Sequence, residues 1–150
     1  MSLLQKIDAD MKQALKAGQK SKLTVLRGLK SELKYKQIDK GGELTDEEMI
    51  GVLSSVAKKH RESIEEFQRG GRQDLVTKEQ SELEFVLSYL PQQLGEEQIR
   101  EIIRQAIVDS GADSPQKLGA VMKLVMPQIK GQADGKLVNR LAAEMLAKKI

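Results

Sequence analysis

The sequence predicts an all-α fold, with an N-terminal lobe of about four helices over residues 1–92, a small three-helix lobe over residues 93–150, and no sheet. Three observations carry this expectation. Apolar residues recur at spacings of three and four along nearly every segment, and none sustains the period-two alternation of a strand. Aromatic residues make up only 3% of the chain, so the core has to be built from Leu, Ile, Val, Met and Ala. Strong helix formers fill much of what is left.

The elements follow in order. Ser2 caps a first helix whose stripe is Leu4, Ile7, Met11 and Leu15, with Gly18 past its end. Ser21 caps a second with Val25, Leu26, Leu29 and Leu33 inward, fading toward Asp39 before the break at Lys40-Gly41-Gly42. Leu44-Thr45-Asp46-Glu47-Glu48-Met49 is the clearest local signal. Thr45 and Glu48 form a reciprocal capping box, and Leu44 and Met49 supply the hydrophobic staple. The helix that follows runs to about Arg69 along a seam of Met49, Leu53, Val56, His60, Ile64 and Phe67. After Gly70-Gly71 a fourth helix turns Val76, Leu83, Val86, Leu87 and Leu90 inward.

Pro91 marks the lobe boundary, because the residue before a proline avoids helical angles and Leu90 leaves the helix. Leu94 and Ile99 staple a fifth helix around Gly95, with Ile102, Ile103, Ala106 and Ile107 inward, and Gly111 stops it. Ser114-Pro115 reads as a cap with a first-turn proline. The sixth helix presents Leu118, Val121, Met122, Val125 and Met126 until Pro127 bends or ends it. Asp134 caps the seventh, which carries Leu137, Val138, Leu141 and Met145. A lobe of under 60 residues is marginal alone.

Composition removes several function classes. There is no cysteine, which excludes a disulfide scaffold, a cysteine nucleophile and thiolate metal sites, and fits a reducing, cytoplasmic setting. The single histidine, His60, forbids a multi-histidine metal site. No apolar run approaches the roughly 20 residues of a membrane span, and the start, with its early acids, does not read as a secretory signal. No catalytic residue, metal ligand or cofactor is expected.

The net charge of +3 conceals a strong pattern: +6 over residues 1–40, −5 over 41–90, −3 over 91–114 and +5 over 115–150. Two basic segments around an acidic middle raise the expectation of an anionic partner. On the second helix Arg27, Lys30 and Lys34 recur at helical spacing as a basic ridge, which follows a phosphate backbone or simply keeps the helix soluble. Near the C-terminus, Lys130-Gly131-Gln132-Ala133-Asp134-Gly135-Lys136 places two glycines and two lysines before a helix N-terminus, with Lys123 and Arg140 candidates to lie nearby. That is either a phosphate-contacting loop or a tight turn between helices, and the capping Asp134 competes with an anion for the same N–H groups.

His60, flanked by Lys58, Lys59 and Arg61, reads as a base, an RNA-contacting imidazole, or a boundary histidine satisfied by one hydrogen bond; nothing near it in sequence completes an acid–base pair. The carboxylates Glu62, Glu65, Glu66, Glu79, Glu82 and Glu84 read as solvated outer helix faces. Met122, Met126 and Met145 sit at core spacing, with a flexible partner groove as the alternative.

The chain resembles the YqeY-like family, free-standing relatives of the C-terminal tail domain of the B subunit of glutamyl/aspartyl-tRNA amidotransferase. The matching features are Leu3-Leu4 with Asp10-Met11-Lys12, Lys59-His60-Arg61-Glu62-Ser63, Gly71-Arg72-Gln73-Asp74-Leu75, and Glu82-Leu83-Glu84 leading into Tyr89-Leu90-Pro91. In the small lobe they are Gly119, Val121-Met122, Met126-Pro127 and Lys130-Gly131-Gln132-Ala133-Asp134-Gly135. One departure is Gly95, where such sequences tend to carry a serine cap, a change worth only a few tenths of a kcal/mol.

The resemblance implies an all-helical two-lobe fold and a tRNA-associated binding module, with Arg27, Lys30, Lys34, Lys123, Lys130, Gly131, Gly135, Lys136 and Arg140 as its nucleic-acid contacts. It also implies carbon–nitrogen ligase activity with glutamine as amide donor. The chain shows neither a Ser-rich amidase signature nor a phosphate-activating metal site, so it is not expected to catalyse alone. The alternative is a protein-interaction module for amidotransferase subunits or an aminoacyl-tRNA synthetase.

Overall fold

The computed structural model describes residues 2–148. The fold is all-α, with no strand among those residues. The chain divides into two compact units, Met1–Leu90 and Pro91–Ile150. The first holds α1 (Leu3–Lys16), α2 (Lys20–Lys40), α3 (Asp46–Arg69) and α4 (Gln73–Leu87). The second holds α5 (Glu96–Ser110), α6 (Leu118–Val125) and α7 (Gly135–Lys148), with short 3-10 turns at Pro115–Lys117 and Met126–Gln128.

Local chemistry sets most of the boundaries. Thr45 Oγ1 accepts the Glu48 N–H at 3.1 Å and Glu48 Oε1 accepts the Thr45 N–H at 3.2 Å, closing the capping box of α3. Ser2 and Gln5 make the same reciprocal pair at α1. Gly95 has no side chain to cap α5, yet Gln98 accepts its N–H at 2.8 Å, so half of the box survives. Helix α2 ends where Gly41 takes φ +81°, a left-handed angle that a side chain would resist.

In the first unit, Ile7 of α1, Leu26, Leu29 and Leu33 of α2, Leu53 of α3 and Val86 of α4 form a buried apolar cluster. Helices α3 and α4 make the most extensive contact, as a hairpin turned at Gly70-Gly71, while α2 and α3 pack over a shorter stretch. That looser seam leaves the grooves described below. The second unit closes around Ile99, Ile103, Val121, Val125, Ile129, Val138, Leu141 and Leu146.

Several local expectations need correction. Leu15 is 64% exposed, and Ala14 is buried in its place. At about 100° per residue, position 14 returns to within about 20° of Ile7, whereas position 15 lies about 80° away. Helix α2 starts at Lys20 with Gln19 before it, so Ser21 lies inside the first turn and caps nothing, and α2 runs at full strength through to Lys40. Ser114 makes no side-chain cap, and Pro115 opens a 3-10 turn rather than the α-helix itself. Met126 is partly exposed because α6 ends at Val125 and the turn containing Pro127 carries it off the apolar stripe; Ile129 takes the buried place. On α7 the inward residues are Val138, Leu141, Ala142 and Leu146, with Leu137 and Met145 at the margin.

Candidate functional site

Two features of the first unit carry chemistry, and both are set by α2. The outer face of α2 is the first. Its buried stripe of Leu23, Leu26, Leu29 and Leu33 turns the opposite side to solvent. Arg27 and Lys34 lie exposed on the flank beside that stripe, and neither is engaged by a carboxylate among the described residues. Lys30, between them in sequence, is half-buried and leans toward α1, with Nζ 2.6 Å from Asp8 Oδ1. The ridge is therefore two available cations with a third held in an ion pair. Tyr35 and Ile38, 79% and 81% exposed, lie one turn apart farther round α2, where Tyr35 lines a groove against α3. Sequence reading had no place for them, although both fall off the apolar stripe and that offset was the available signal.

The second feature is the groove behind that face. Thr24 and Gly28 of α2, Val56 and His60 of α3, and Glu79 and Glu82 of α4 line a groove of about 340 Å³. A second groove of about 520 Å³ continues between α2 and α3, past Tyr35, Lys36, Val52 and Ser55. His60 Nδ1 donates to Glu79 Oε2 at 2.6 Å, and Glu82 Oε2 stands 3.8 Å from the same nitrogen. His60 is thus the boundary histidine satisfied by one hydrogen bond, its partner distant in sequence, whereas the expectation that Glu79 and Glu82 sit on outer faces is overturned. The α3–α4 hairpin folds one turn of α4 back onto His60, and partners nineteen residues away lie beyond any periodicity within one helix.

The remaining predicted contacts lie in the second unit. Lys123 is exposed on α6, and Lys136 and Arg140 lie one turn apart on α7, both exposed. Lys130 and Lys136 are engaged in contacts of their own. Gly131, at φ +77°, and Gly135 bracket the loop. This loop is clasped by the segment that opens the unit: Gln93 Nε2 donates to the Gly131 carbonyl at 2.7 Å, and the Leu94 N–H donates to the Gln132 carbonyl at 2.8 Å. Asp134 Oδ1 accepts the Lys136 N–H at 3.2 Å, so a carboxylate already occupies a donor at the start of α7 that an anion would use. The clasp was not legible, because it joins positions 38 residues apart.

Ionisation follows the same local contacts. The Lys40 ammonium, donating to Glu48 at 2.6 Å, holds that carboxyl below its ordinary range, helped by the Thr45 N–H. Burial, with the Asp10 carboxylate beside it, pushes the Tyr89 phenol well up.

A family model described as Yqey-like protein matches residues 4–146. The chain belongs to the YqeY-like family. This YqeY-like chain is 29% identical over 150 residues to "Altered inheritance of mitochondria protein 41, mitochondrial" of Pyrenophora tritici-repentis, a match covering 98% of the chain and 82% of that protein. It is 40% identical over 84 residues to the protein of the same name in Lachancea thermotolerans, covering 55% of the chain and 45% of the relative. For Saccharomyces cerevisiae (strain YJM789) the figures are 33% over 87 residues, 57% and 47%. The matched stretch thus spans under half the length of these two yeast relatives. The names of these relatives describe mitochondrial proteins. No described helix of the YqeY-like chain is long and apolar enough to cross a membrane.

Proposed function

We propose that this YqeY-like chain is a tRNA-associated binding module, acting in the cytoplasm, that holds RNA by its phosphate backbone. The observation that carries the reading is the exposed flank of α2: Arg27 and Lys34 stand on it, unclaimed by any carboxylate among the described residues. Cations already spent on ion pairs gain little from a phosphate, whereas these two release counterions when RNA arrives. Tyr35, about a quarter-turn round α2 from Lys34, adds an exposed aromatic ring on which a base or ribose can rest. Recognition is of shape, because the deep, narrow major groove of A-form RNA hides base edges from side chains. Lys123, Lys130, Lys136 and Arg140, with Gly131 and Gly135 shaping their loop, form a second, weaker candidate surface, weakened by the Asp134 cap.

The test is fluorescence anisotropy with total tRNA, a plain RNA duplex and a single strand at about 50 and 200 mM salt, where phosphate contacts weaken steeply. Saturable binding that prefers tRNA and persists at the higher salt supports the module. Equal weak binding to all three, lost with salt, removes it.

A second reading is favoured by the exposure of Tyr35 and Ile38 on one face. On that reading the face docks an amidotransferase subunit or an aminoacyl-tRNA synthetase. A protein partner recovered after nuclease and high salt, and lost in Tyr35→Ala/Ile38→Ala, distinguishes it from RNA binding. Amide transfer by the chain alone is not proposed.

A further inference from the structure

The His60 cluster is independent of the α2 ridge and has an electrostatic deficit. Glu79 and Glu82 project from successive turns of α4 toward one imidazole of α3, and all three side chains are mostly shielded, at 20%, 26% and 18% exposure. One Nδ1 proton serves one carboxylate. It serves Glu79, which leaves Glu82 Oε2 at 3.8 Å, beyond hydrogen-bond reach. Lys59 lines the same groove but pairs with neither carboxylate. Two half-buried carboxylates therefore face one N–H donor, and Glu82 is left without it.

The donor atoms lie within 4.8 Å of one another, one imidazole nitrogen and two carboxylate oxygens. Around a first-row divalent ion such donors sit at about 2.0–2.2 Å from the metal, hence about 3.0–3.4 Å apart in octahedral or tetrahedral geometry. From 2.6 Å the His60–Glu79 pair opens, and from 3.8 Å Glu82 closes, each by about 0.4–0.8 Å to reach that spacing. Both are side-chain adjustments within a groove that has the room.

We propose that His60, Glu79 and Glu82 bind a divalent transition-metal ion of the Zn²⁺ or Mn²⁺ class. A mixed nitrogen and carboxylate set suits these ions, whereas Mg²⁺ prefers all-oxygen surroundings. The ion takes the place of the Nδ1 proton, which reaches Glu79 alone, and engages both carboxylates. Three protein donors leave at least one position open to the groove, where water or an oxyanion completes the shell. The α3–α4 hairpin supplies the rigidity, since both ligand-bearing helices belong to the most extensively packed pair of the first unit.

The chain has one histidine, so its imidazole ring signals in a proton NMR spectrum belong to His60 alone. Titration of the intact chain with Zn²⁺ should shift those signals saturably, and Mn²⁺ should broaden them. Calorimetry on Glu79→Gln and Glu82→Gln should show affinity weakened at least about ten-fold, the scale seen when a metal's surroundings are altered. Glu62→Gln, an exposed carboxylate on α3, should bind as the parent does. His60 signals that stay unmoved by Zn²⁺ in the folded parent protein would overturn the site, whether or not the variants fold. So would equal affinity in the parent and the Glu79→Gln/Glu82→Gln double variant. RNA binding through Arg27 and Lys34 involves none of these ligands, so either proposal can fail alone.

Discussion

The Tyr89 hydroxyl donates to Asp10 Oδ2 at 2.5 Å, tying the segment after α4 to the middle of α1 across 79 residues of chain. Tyr89 is only 7% exposed, and Phe85 meets its ring edge-on at 5.5 Å. Burial first, and the neighbouring carboxylate second, disfavour the phenolate. An unfolded tyrosine ionises near the ordinary value of 10.0. A raised folded-state value means that this contribution to stability is complete below about pH 10. It is lost as pH climbs toward the folded value. In a Tyr35→Phe background, where Tyr89 is the only phenol, phenolate absorbance should rise above the usual tyrosine range and together with loss of helix. A rise well before unfolding would show that the hydroxyl is not held as described. Tyr89→Phe should cost about 1–2 kcal/mol at neutral pH, a charge-assisted bond with Asp10 partly rehydrated.

The start of α3 titrates in the opposite direction. Lys40 and the Thr45 N–H keep the Glu48 carboxyl below its ordinary value of 4.5. A lowered folded-state value contributes stability above the unfolded value, and that contribution is lost as pH falls through the folded one. Glu48→Gln should therefore be less stable than the parent at neutral pH, with the difference shrinking below about pH 4.5. Urea titrations at pH 7 and pH 3 check this, and a difference that does not shrink on acidification would remove the Lys40 contact from the account. Thr45→Ala, which removes the other half of the box, should cost about 1 kcal/mol at both pH values.

The capping box was legible because its partners lie three residues apart, within the reach of local pattern. The extent of α2 was less so: Gly28 is the one glycine between Ser21 and Gly41, no proline stands there, and Asp39 and Lys40 read as a frayed end. Tertiary contacts escaped altogether. His60 meets Glu79 through the α3–α4 hairpin, and Gln93 reaches the Gly131 carbonyl around the whole second unit. Glu79, three residues after Val76 and four before Leu83, falls on the apolar stripe of α4 and Glu82 at its margin, a spacing that pointed inward; a helix face read alone does not say which side chain of another helix they meet. The same limit produced the Leu15 error, because a large apolar residue near the stripe outweighed a small one on it.

That error has a direct test. Leu26 is fully buried between helices of the first unit, and Leu15 is largely exposed near the end of α1. Leu26→Ala should destabilise by about 2–5 kcal/mol, through lost burial and the cavity left behind. Leu15→Ala should stay within about 0.5 kcal/mol of the parent. Chemical denaturation of the two variants compares them, and equal losses would restore Leu15 to the core.

The Lys30–Asp8 pair makes the α2 ridge adjustable. At 2.6 Å, Asp8 neutralises a cation that otherwise faces the same way as its neighbours toward an RNA phosphate. A pair at the surface that is only partly shielded contributes at most about 1 kcal/mol to folding, so Asp8→Asn should fold as the parent does. It should also bind tRNA more tightly at low salt, because Lys30 is released and a repelling carboxylate is gone. Each phosphate contact contributes about 0.7–0.9 to the slope of log affinity against log salt. Asp8→Asn should therefore steepen that slope by up to one such step. Arg27→Ala/Lys34→Ala should flatten it by two, while Lys30→Ala alone should change it little, its charge being already spent on Asp8. An Asp8→Asn variant with unchanged slope, beside a double variant that also binds as the parent does, would take α2 out of the RNA interface and leave the α6–α7 cations to carry it.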